Sequence, residues 1–452
     1  MVRAVPAPAY RPQYNEAAGL CMRSLTSPLP PCSLPTLTTA GDTDSMNGLF
    51  AGALLLAIAL ALLSLAGGGA ELASDTLAAM FRGADLAVEV CLGLIGVLTL
   101  WSGLFRLAEQ SRLTDRLARG VAPVLGRLMP GTARHPEALG AVTLNLSANM
   151  LGLDNAATPL GLKAMEALQQ QNPEPARASD SQIMFLVLNT SSVTLIPVTV
   201  MMYRAQQGAA NPADIYLPLL MATTASTFAG VWLTARLQGI RLAQPLLLAL
   251  AGVWLALLAL GGWVALALPG DSAARFSALA GSIILLLVVA GFIIAALRAR
   301  LNVYETFIDG AREGFDTAVR LIPYLVAMLV VISMFRAAGG LDLLLDGIRW
   351  LVALTGADSR FVDALPVALL KPLSGSGARA MMIEVMNTHG VDSLVGRMAA
   401  VMQGSTETTF YVLAVYFGSC GIVRLRHALW CGLFADFAGL CTAVLVSYLF
   451  FG

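Results

Sequence analysis

The sequence predicts an all-α polytopic membrane protein with an inverted internal repeat, about nine transmembrane helices plus two re-entrant hairpins. Three observations carry this. Of the 452 residues, 57% are hydrophobic and only 12% charged, against about 25% charged in an average soluble domain. Several apolar runs reach the roughly 20 residues that a helix needs to cross a bilayer. Polar blocks recur in the same order in the two halves of the chain, as they do in duplicated membrane folds.

Residues 1–45 are rich in Pro, Ser and Thr and have no sustained apolar period. They read as a disordered N-terminal extension, without the apolar core of a secretory signal. Met46 stands directly before the first apolar run and is a second candidate start. Plain spans are expected at 48–66, 86–107, 215–235, 244–268, 277–297, 317–338 and 427–451. Segments 182–203 and 395–418 are long enough to span but carry polar clusters at their centres, so they read as broken spans. Segments 137–169 and 364–388 are apolar at both ends with a polar, Gly- or Pro-containing centre. Irregular backbone at membrane depth is tolerated only inside protein or beside a water-filled cavity, which predicts hairpins that enter and leave on one side. Segments 109–130 and 339–356 mix charge with apolar residues at near-helical spacing and predict amphipathic interfacial helices. "GGGA" at 67–70 predicts a loop.

Charge sets the orientation, because Lys and Arg collect in cytoplasmic loops. With both hairpins re-entrant and the residue-46 end cytoplasmic, the inner segments hold Arg112, Arg116, Arg119, Arg127, Arg134, Lys163 and Arg177. They also hold Arg236, Arg241, Arg298, Arg300, Arg312, Arg424 and Arg426. The outer set is thinner, chiefly Arg82, Arg204, Arg275, Arg349 and Arg360.

The repeat begins at "RGADLAVEVCLGLIGVLTLWSGLFRLA" (82–108), matched by "DGAREGFDTAVRLIPYLVAMLVVISMFRAA" (309–338). "LGLDNAATPL" (151–160) then pairs with "PLSGSGARAM" (372–381), and "VLNTSSVTLIPV" (187–198) with "VMQGSTETTFYV" (401–412). An odd number of spans between the halves turns the second upside down.

In each half a hairpin centre and a broken span would meet near the midplane, where interrupted helices leave N–H and C=O groups without partners. The first hairpin offers Asn149, Asp154, Asn155 and Thr158; the second offers Lys371, Ser374, Ser376 and Arg379. The broken spans offer Asn189, Thr190 and Ser191, then Gln403, Ser405, Thr406, Glu407 and Thr408. Hydroxyls in membrane helices often bond their own backbone or join helices. Amides and ionisable groups are costlier to bury, about 2.5–3.5 kcal/mol for a charge on insertion scales. A purely structural reading pairs Glu407 with Lys371 or Arg379. Asp436, Arg106 and Arg336 read as pairing or snorkelling groups.

Other chemistry is poorly served. Net charge is zero, which argues against nucleic acid. Six scattered cysteines and three distant histidines offer no metal site and no disulfide framework, and no cofactor is expected. The G-x-x-x-x-G-K-[ST] phosphate loop is missing from the sequence. Ser376 with Lys371 lacks the context of a Ser–Lys hydrolase, so no enzymatic activity is expected.

Longer motifs carry a family resemblance. "LAEQSRLTD", "HPEALGAVTLNLSANMLGLDNAATPLGLKAM" and "FLVLNTSSVTLIPVTV" resemble the spore maturation protein A family. "VYETFIDGAREGFDTAVRLIPYLVAMLVVISMFRAAG", "LKPLSGSGARAM", "GRMAAVMQGSTETTFYVLAVYFG" and "GLFADFAGL" resemble spore maturation protein B. The resemblance covers 46–236 and 276–452, two Gate halves joined by a 237–275 linker with one extra helix. It implies a member of the nucleoside-recognition or Gate-domain group, with hairpins and unwound helices forming the site for a small polar or nucleoside-like solute. High Arg and Ala with little Lys points to a GC-rich bacterium, hence a multi-pass protein of the bacterial inner membrane in contact with the lipid bilayer. Two functions follow: a permease gated by its hairpins, or a non-transporting scaffold or regulator of envelope or spore-like maturation. Association into a homo-oligomer is compatible with either.

Overall fold

The computed structural model describes residues 51–63, 70–152, 154–191, 194–267, 272–356 and 358–452. The 1–45 extension and residues 67–69 of the expected "GGGA" loop lie outside the described residues. Among those described, the regular structure is helical.

The first half comprises α1 (Ala51–Leu63), α2 (Ala70–Gln110), α3 (Leu113–Leu128), α4 (Pro136–Met150), α5 (Asp154–Gln169), α6 (Asp180–Ser191), α7 (Val198–Gln206) and α8 (Tyr216–Gln238). A peripheral helix, α9 (Pro245–Ala267), and α10 (Ser272–Arg298) follow. The second half comprises α11 (Val303–Ala337), α12 (Gly340–Ala353), α13 (Leu365–Leu370), α14 (Gly375–His389), α15 (Leu394–Gly404), α16 (Thr409–Ser419) and α17 (Ala428–Phe451). The order recurs: long helix, amphipathic helix, interrupted hairpin, interrupted pair, long helix. Even the short 3-10 turn before each hairpin recurs, at Thr132–Arg134 and Arg360–Ala364.

Helices α2, α8, α9, α10 and α17 are each long and apolar enough to cross a membrane. The chain is a multi-pass membrane protein. The end of α11 and α12 meet that test together but bend by 67°, at Gly339, whose φ of 76° is left-handed. α2 is longer than the 86–107 span expected. Its 41 residues extend about 60 Å at about 1.5 Å per residue, because 70–82 holds no breaker and Glu71 favours the first turn.

Two antiparallel helix pairs form the frame. α2 lies along α11: Gly83 meets Leu329, Gly103 meets Phe307, and Gly310 meets Arg106 and Ser102. A Cβ built on Gly310 would lie 2.5 Å from the Arg106 Cβ, and one on Gly314 would lie 2.5 Å from the Leu98 carbonyl oxygen. Small residues here let the two backbones approach, as is usual between membrane helices. α8 lies along α17 in the same sense, with Gly230 against Ala435 and Gly439 against Ser226. α9 packs loosely outside, held to α8 by a hydrogen bond from the Trp254 indole N–H to Thr224 Oγ1 at 2.8 Å. Its remaining surface exposes Leu248, Val253, Leu257 and Trp263, which suits lipid and would be costly in water.

The two ends of the bundle are closed by different contacts between the halves. At one end Ala178 N donates to the Arg424 carbonyl, and the Arg426 guanidinium bonds Asp180 at 2.7 Å. At the other end Arg204 bridges Asp214 and Asp392, each at 2.9 Å, while Arg397 bonds the second Asp214 oxygen at 2.7 Å. The charge bias puts Arg177, Arg424 and Arg426 on the inner side and Arg204 and Arg360 on the outer side, and the fold separates them in the same way. Arg204 itself is 0% exposed: its guanidinium replaces water with two carboxylates and the Val391 carbonyl. Burial pushes the Asp214 carboxyl up from its ordinary range, against the pull of Arg204 and Arg397.

Candidate functional site

The hairpin α4–α5 turns at Gly152, whose φ is 72°. A Cβ there would also lie 2.8 Å from the Ile196 carbonyl oxygen, so both backbone conformation and close approach require glycine. Both ends of the hairpin return to one end of the bundle. α4 starts beside Ala299 and Leu301, and Gln169 at the end of α5 donates to the Cys420 carbonyl. In α13–α14 the turn is capped by Ser374, whose hydroxyl accepts from Gly377 N at 3.0 Å. This hairpin starts near Tyr448, whose hydroxyl accepts from Phe361 N, and ends at His389 before the Asp392 cluster.

The helices in the two segments expected as broken spans are interrupted where the polar clusters fall. α6 stops at Ser191, and Pro197, which has no N–H, precedes α7. α15 stops at Gly404 and α16 resumes after Thr408. The main-chain groups freed at these breaks find one another. Leu195 N donates to the Met150 carbonyl at 3.0 Å, and Phe410 N donates to the Pro372 carbonyl at 3.1 Å, so each hairpin turn is tied to the break in its own half. Glu407 N donates to the Thr190 carbonyl at 2.7 Å and joins the two breaks.

Side chains form a network on one side of this junction. Asn149 Nδ2 donates to Asn189 Oδ1 at 2.8 Å, and Asn189 Nδ2 donates to the Phe185 carbonyl at 2.9 Å. The Tyr416 hydroxyl donates to the same Asn189 oxygen at 3.4 Å, and Asn145 donates to the Ala157 carbonyl at 2.7 Å and to Tyr416 at 3.5 Å. Tyr416 stacks on Phe185 with centroids 5.6 Å apart. On the other side, Thr409 Oγ1 donates to Asp436 Oδ2 at 2.6 Å, with Asp436 only 2% exposed. Replacing Thr409 with Val removes that donor, and thermal melts in detergent should show a loss of about 1–3 kcal/mol; an unchanged melt would mean that Asp436 does not rely on it.

Among the described residues, several buried oxygens here have no hydrogen-bond partner: Thr190 Oγ1, Ser191 Oγ, Gln403 Oε1 and Ser226 Oγ. Buried polar atoms are normally satisfied, so each orphan asks for an explanation. These oxygens lie at or beside the two helix breaks.

Of the sixteen expected site residues, most come together. Asn189, Thr190, Ser191, Gln403, Ser405, Thr406 and Thr408 are buried around the breaks, and Lys371 and Ser374 are buried at the second hairpin turn. Asn149, Thr158, Ser376 and Arg379 are half-buried. The side chains of Asp154 and Asn155 lie outside the described residues. Glu407 differs from the structural reading: its side chain is exposed, and among the described residues it is ion-paired with neither Lys371 nor Arg379.

Three residues at the junction were not expected. Asn145 stands four before Asn149, hence on the same helix face, a spacing visible in the sequence. Asp436, an acid inside an apolar run expected to pair or snorkel, is buried with Thr409 as its partner. Tyr416 carries no sequence signal, being one aromatic in an apolar helix. A cavity of about 780 Å³ opens away from the breaks, between α3 and the start of α4.

The Gate family, described as nucleoside recognition, matches residues 91–206 and 318–423. Each stretch runs from within a long helix through one hairpin and one interrupted helix pair. The chain is 40% identical over 166 residues to spore maturation protein B of Bacillus subtilis (strain 168), covering 37% of this chain and 92% of that protein. It is 43% identical over 152 residues to spore maturation protein A of the same organism, covering 34% of this chain and 78% of that protein. The chain belongs to the Gate-domain family of spore maturation proteins A and B. As a Gate protein that matches both relatives, each over part of its length, it is consistent with a fusion of the two. The breaks and hairpin turns described above fall within the two Gate matches.

Proposed function

We propose that this Gate protein is a permease of the bacterial inner membrane, which moves a small polar solute through the junction of its two hairpins and two broken spans. The observation that carries this is the cluster of buried oxygens without partners among the described residues, where four interrupted elements meet. Broken helices present half-helix dipoles and freed backbone groups to solutes near the midplane in many transporters. The residues expected to line the site are those named from the sequence, with Asn145, Tyr416 and Asp436 added.

An inverted repeat is the architecture that best supports this reading. Helices related by a two-fold axis in the membrane plane run in opposite directions, as α2 and α11 do, and α8 and α17. "TFAG" at 227–230 and "DFAG" at 436–439 stand at corresponding places on α8 and α17. Gly230 packs near Ser191 and Ala435, and Gly439 packs near Ser405 and Ser226, corresponding partners in both cases. On this reading the halves are 46–236 and 276–452, joined by α9. Nine spans then combine α1, α2, α8, α9, α10, α11 and α17 with the pairs α6–α7 and α15–α16, and both hairpins are re-entrant. The family description makes a nucleoside-like solute the first to test.

The test is counterflow of labelled nucleosides in proteoliposomes, comparing wild type with Asn189→Ala and Gln403→Ala. Loss of one or two solute hydrogen bonds should weaken half-saturation roughly tenfold. Equal flux in all three proteins would overturn this site. Background flux in all three, with lowered melting temperatures in the variants, would favour the scaffold reading.

A further inference from the structure

We propose that the cavity between α3 and α4 is a binding site for the phosphate headgroup of an anionic phospholipid. This inference does not depend on the permease reading.

The cavity lies where two apolar helices end: Gln110 closes α2, and Ala299 and Leu301 follow α10. Its polar side is lined by Arg112, Arg116 and Arg119, with Asp115 as the acid among them. A spacing of three puts Arg116 and Arg119 on one face of α3, and Arg112 stands at its N-cap. The opposite face of α3, with Leu117, Val124 and Leu125, packs into the core. All three arginines are exposed, and among the described residues none is ion-paired. Three guanidinia converge on one space with a single carboxylate to offset them, a field that favours an anion.

The rest of the lining selects the class of anion. Leu139, Leu144 and Leu301 face the same space, so an occupant meets arginines at one end and hydrocarbon at the other. A free phosphate has no use for the apolar wall, whereas a lipid places phosphate beside guanidinium and its acyl chains against leucine. Arg also matches phosphate bidentately, and basic pockets between membrane helices commonly hold anionic headgroups.

The second half supplies a contrast. α12 occupies the corresponding place in the helix order, but its Arg349 is bonded to Asp346 at 2.5 Å and also to Asp363. The charge on that helix is answered within the protein, and the charge on α3 is not. The asymmetry fits a leaflet-specific lipid contact.

The test uses the full chain in detergent, titrated with phosphatidylglycerol or phosphatidylcholine and followed by thermal melting and by native mass spectrometry. Phosphatidylglycerol is expected to raise the melting temperature and to remain bound, and phosphatidylcholine is not. Arg116→Gln with Arg119→Gln should weaken half-saturation by phosphatidylglycerol roughly thirtyfold, at about tenfold per 1.4 kcal/mol for two surface cations. Arg116→Lys with Arg119→Lys should keep most of the response, and it carries the comparison if the glutamine pair fails to fold. Three results would overturn the proposal: equal stabilisation by both lipids, an undiminished response in the glutamine pair, or saturation by glycerol phosphate at the concentration at which the lipid saturates.

Discussion

Arg204→Met is expected to destabilise the protein by about 3–5 kcal/mol, the range for removing one partner of a buried ion pair. Arg204 is 0% exposed and holds Asp214, Asp392 and the Val391 carbonyl together. Asp214, 3% exposed, would keep only Arg397. Methionine fills much of the arginine volume, so the loss reports charge and hydrogen bonding rather than a cavity. The pH dependence has a definite sign. Burial already pushes Asp214 up, and removing a neighbouring cation pushes it further above its unfolded value near 3.9. The folded variant then binds a proton that the unfolded chain has lost, so its stability falls as pH rises through the folded pKa and recovers as pH falls. Melts at pH 5 and pH 8 should therefore show a smaller deficit at pH 5. A variant as stable as wild type, or a larger deficit in acid, would refute this account.

The second large effect is expected at Gly161. A Cβ built there would lie 2.1 Å from the Tyr416 hydroxyl and 2.4 Å from its Cζ. Gly161→Ala must displace a buried ring that stacks on Phe185 and bonds Asn145 and Asn189. Overpacking of this kind costs about 1–3 kcal/mol, against a gain of up to about 1 kcal/mol in helix propensity. Tyr416→Leu alone loses the stack and the hydrogen bonds. Combined with Gly161→Ala it relieves the clash, so the two changes should be less harmful together than the sum of each, by about 1 kcal/mol or more. Strict additivity would show that the ring is not the obstacle.

The helical class, the places of the hairpins and the breaks were legible because each rests on local signals. "LGLDNAATPL" and "VMQGSTETTF" interrupt apolar runs with residues that need partners, and the chain breaks at both. The amphipathic stretch before each hairpin was equally plain. Less legible was anything decided by neighbours far along the chain. Arg204 looked like an ordinary loop charge, and only Asp214 and Asp392, the latter 188 residues away, explain its burial. Tyr416 matters because it lies over Gly161 and Asn189, and no periodicity announces such a contact. The length of α2 beyond 86–107 was missed because its first turns are polar enough to resemble a loop, although they find α11 to pack against.

Three of the links at the four interruptions are made by peptide groups: Met150 to Leu195, Pro372 to Phe410, and Thr190 to Glu407. Such links do not depend on which side chains flank them. Substitutions around the breaks can thus change the side-chain surroundings while these main-chain ties stay fastened.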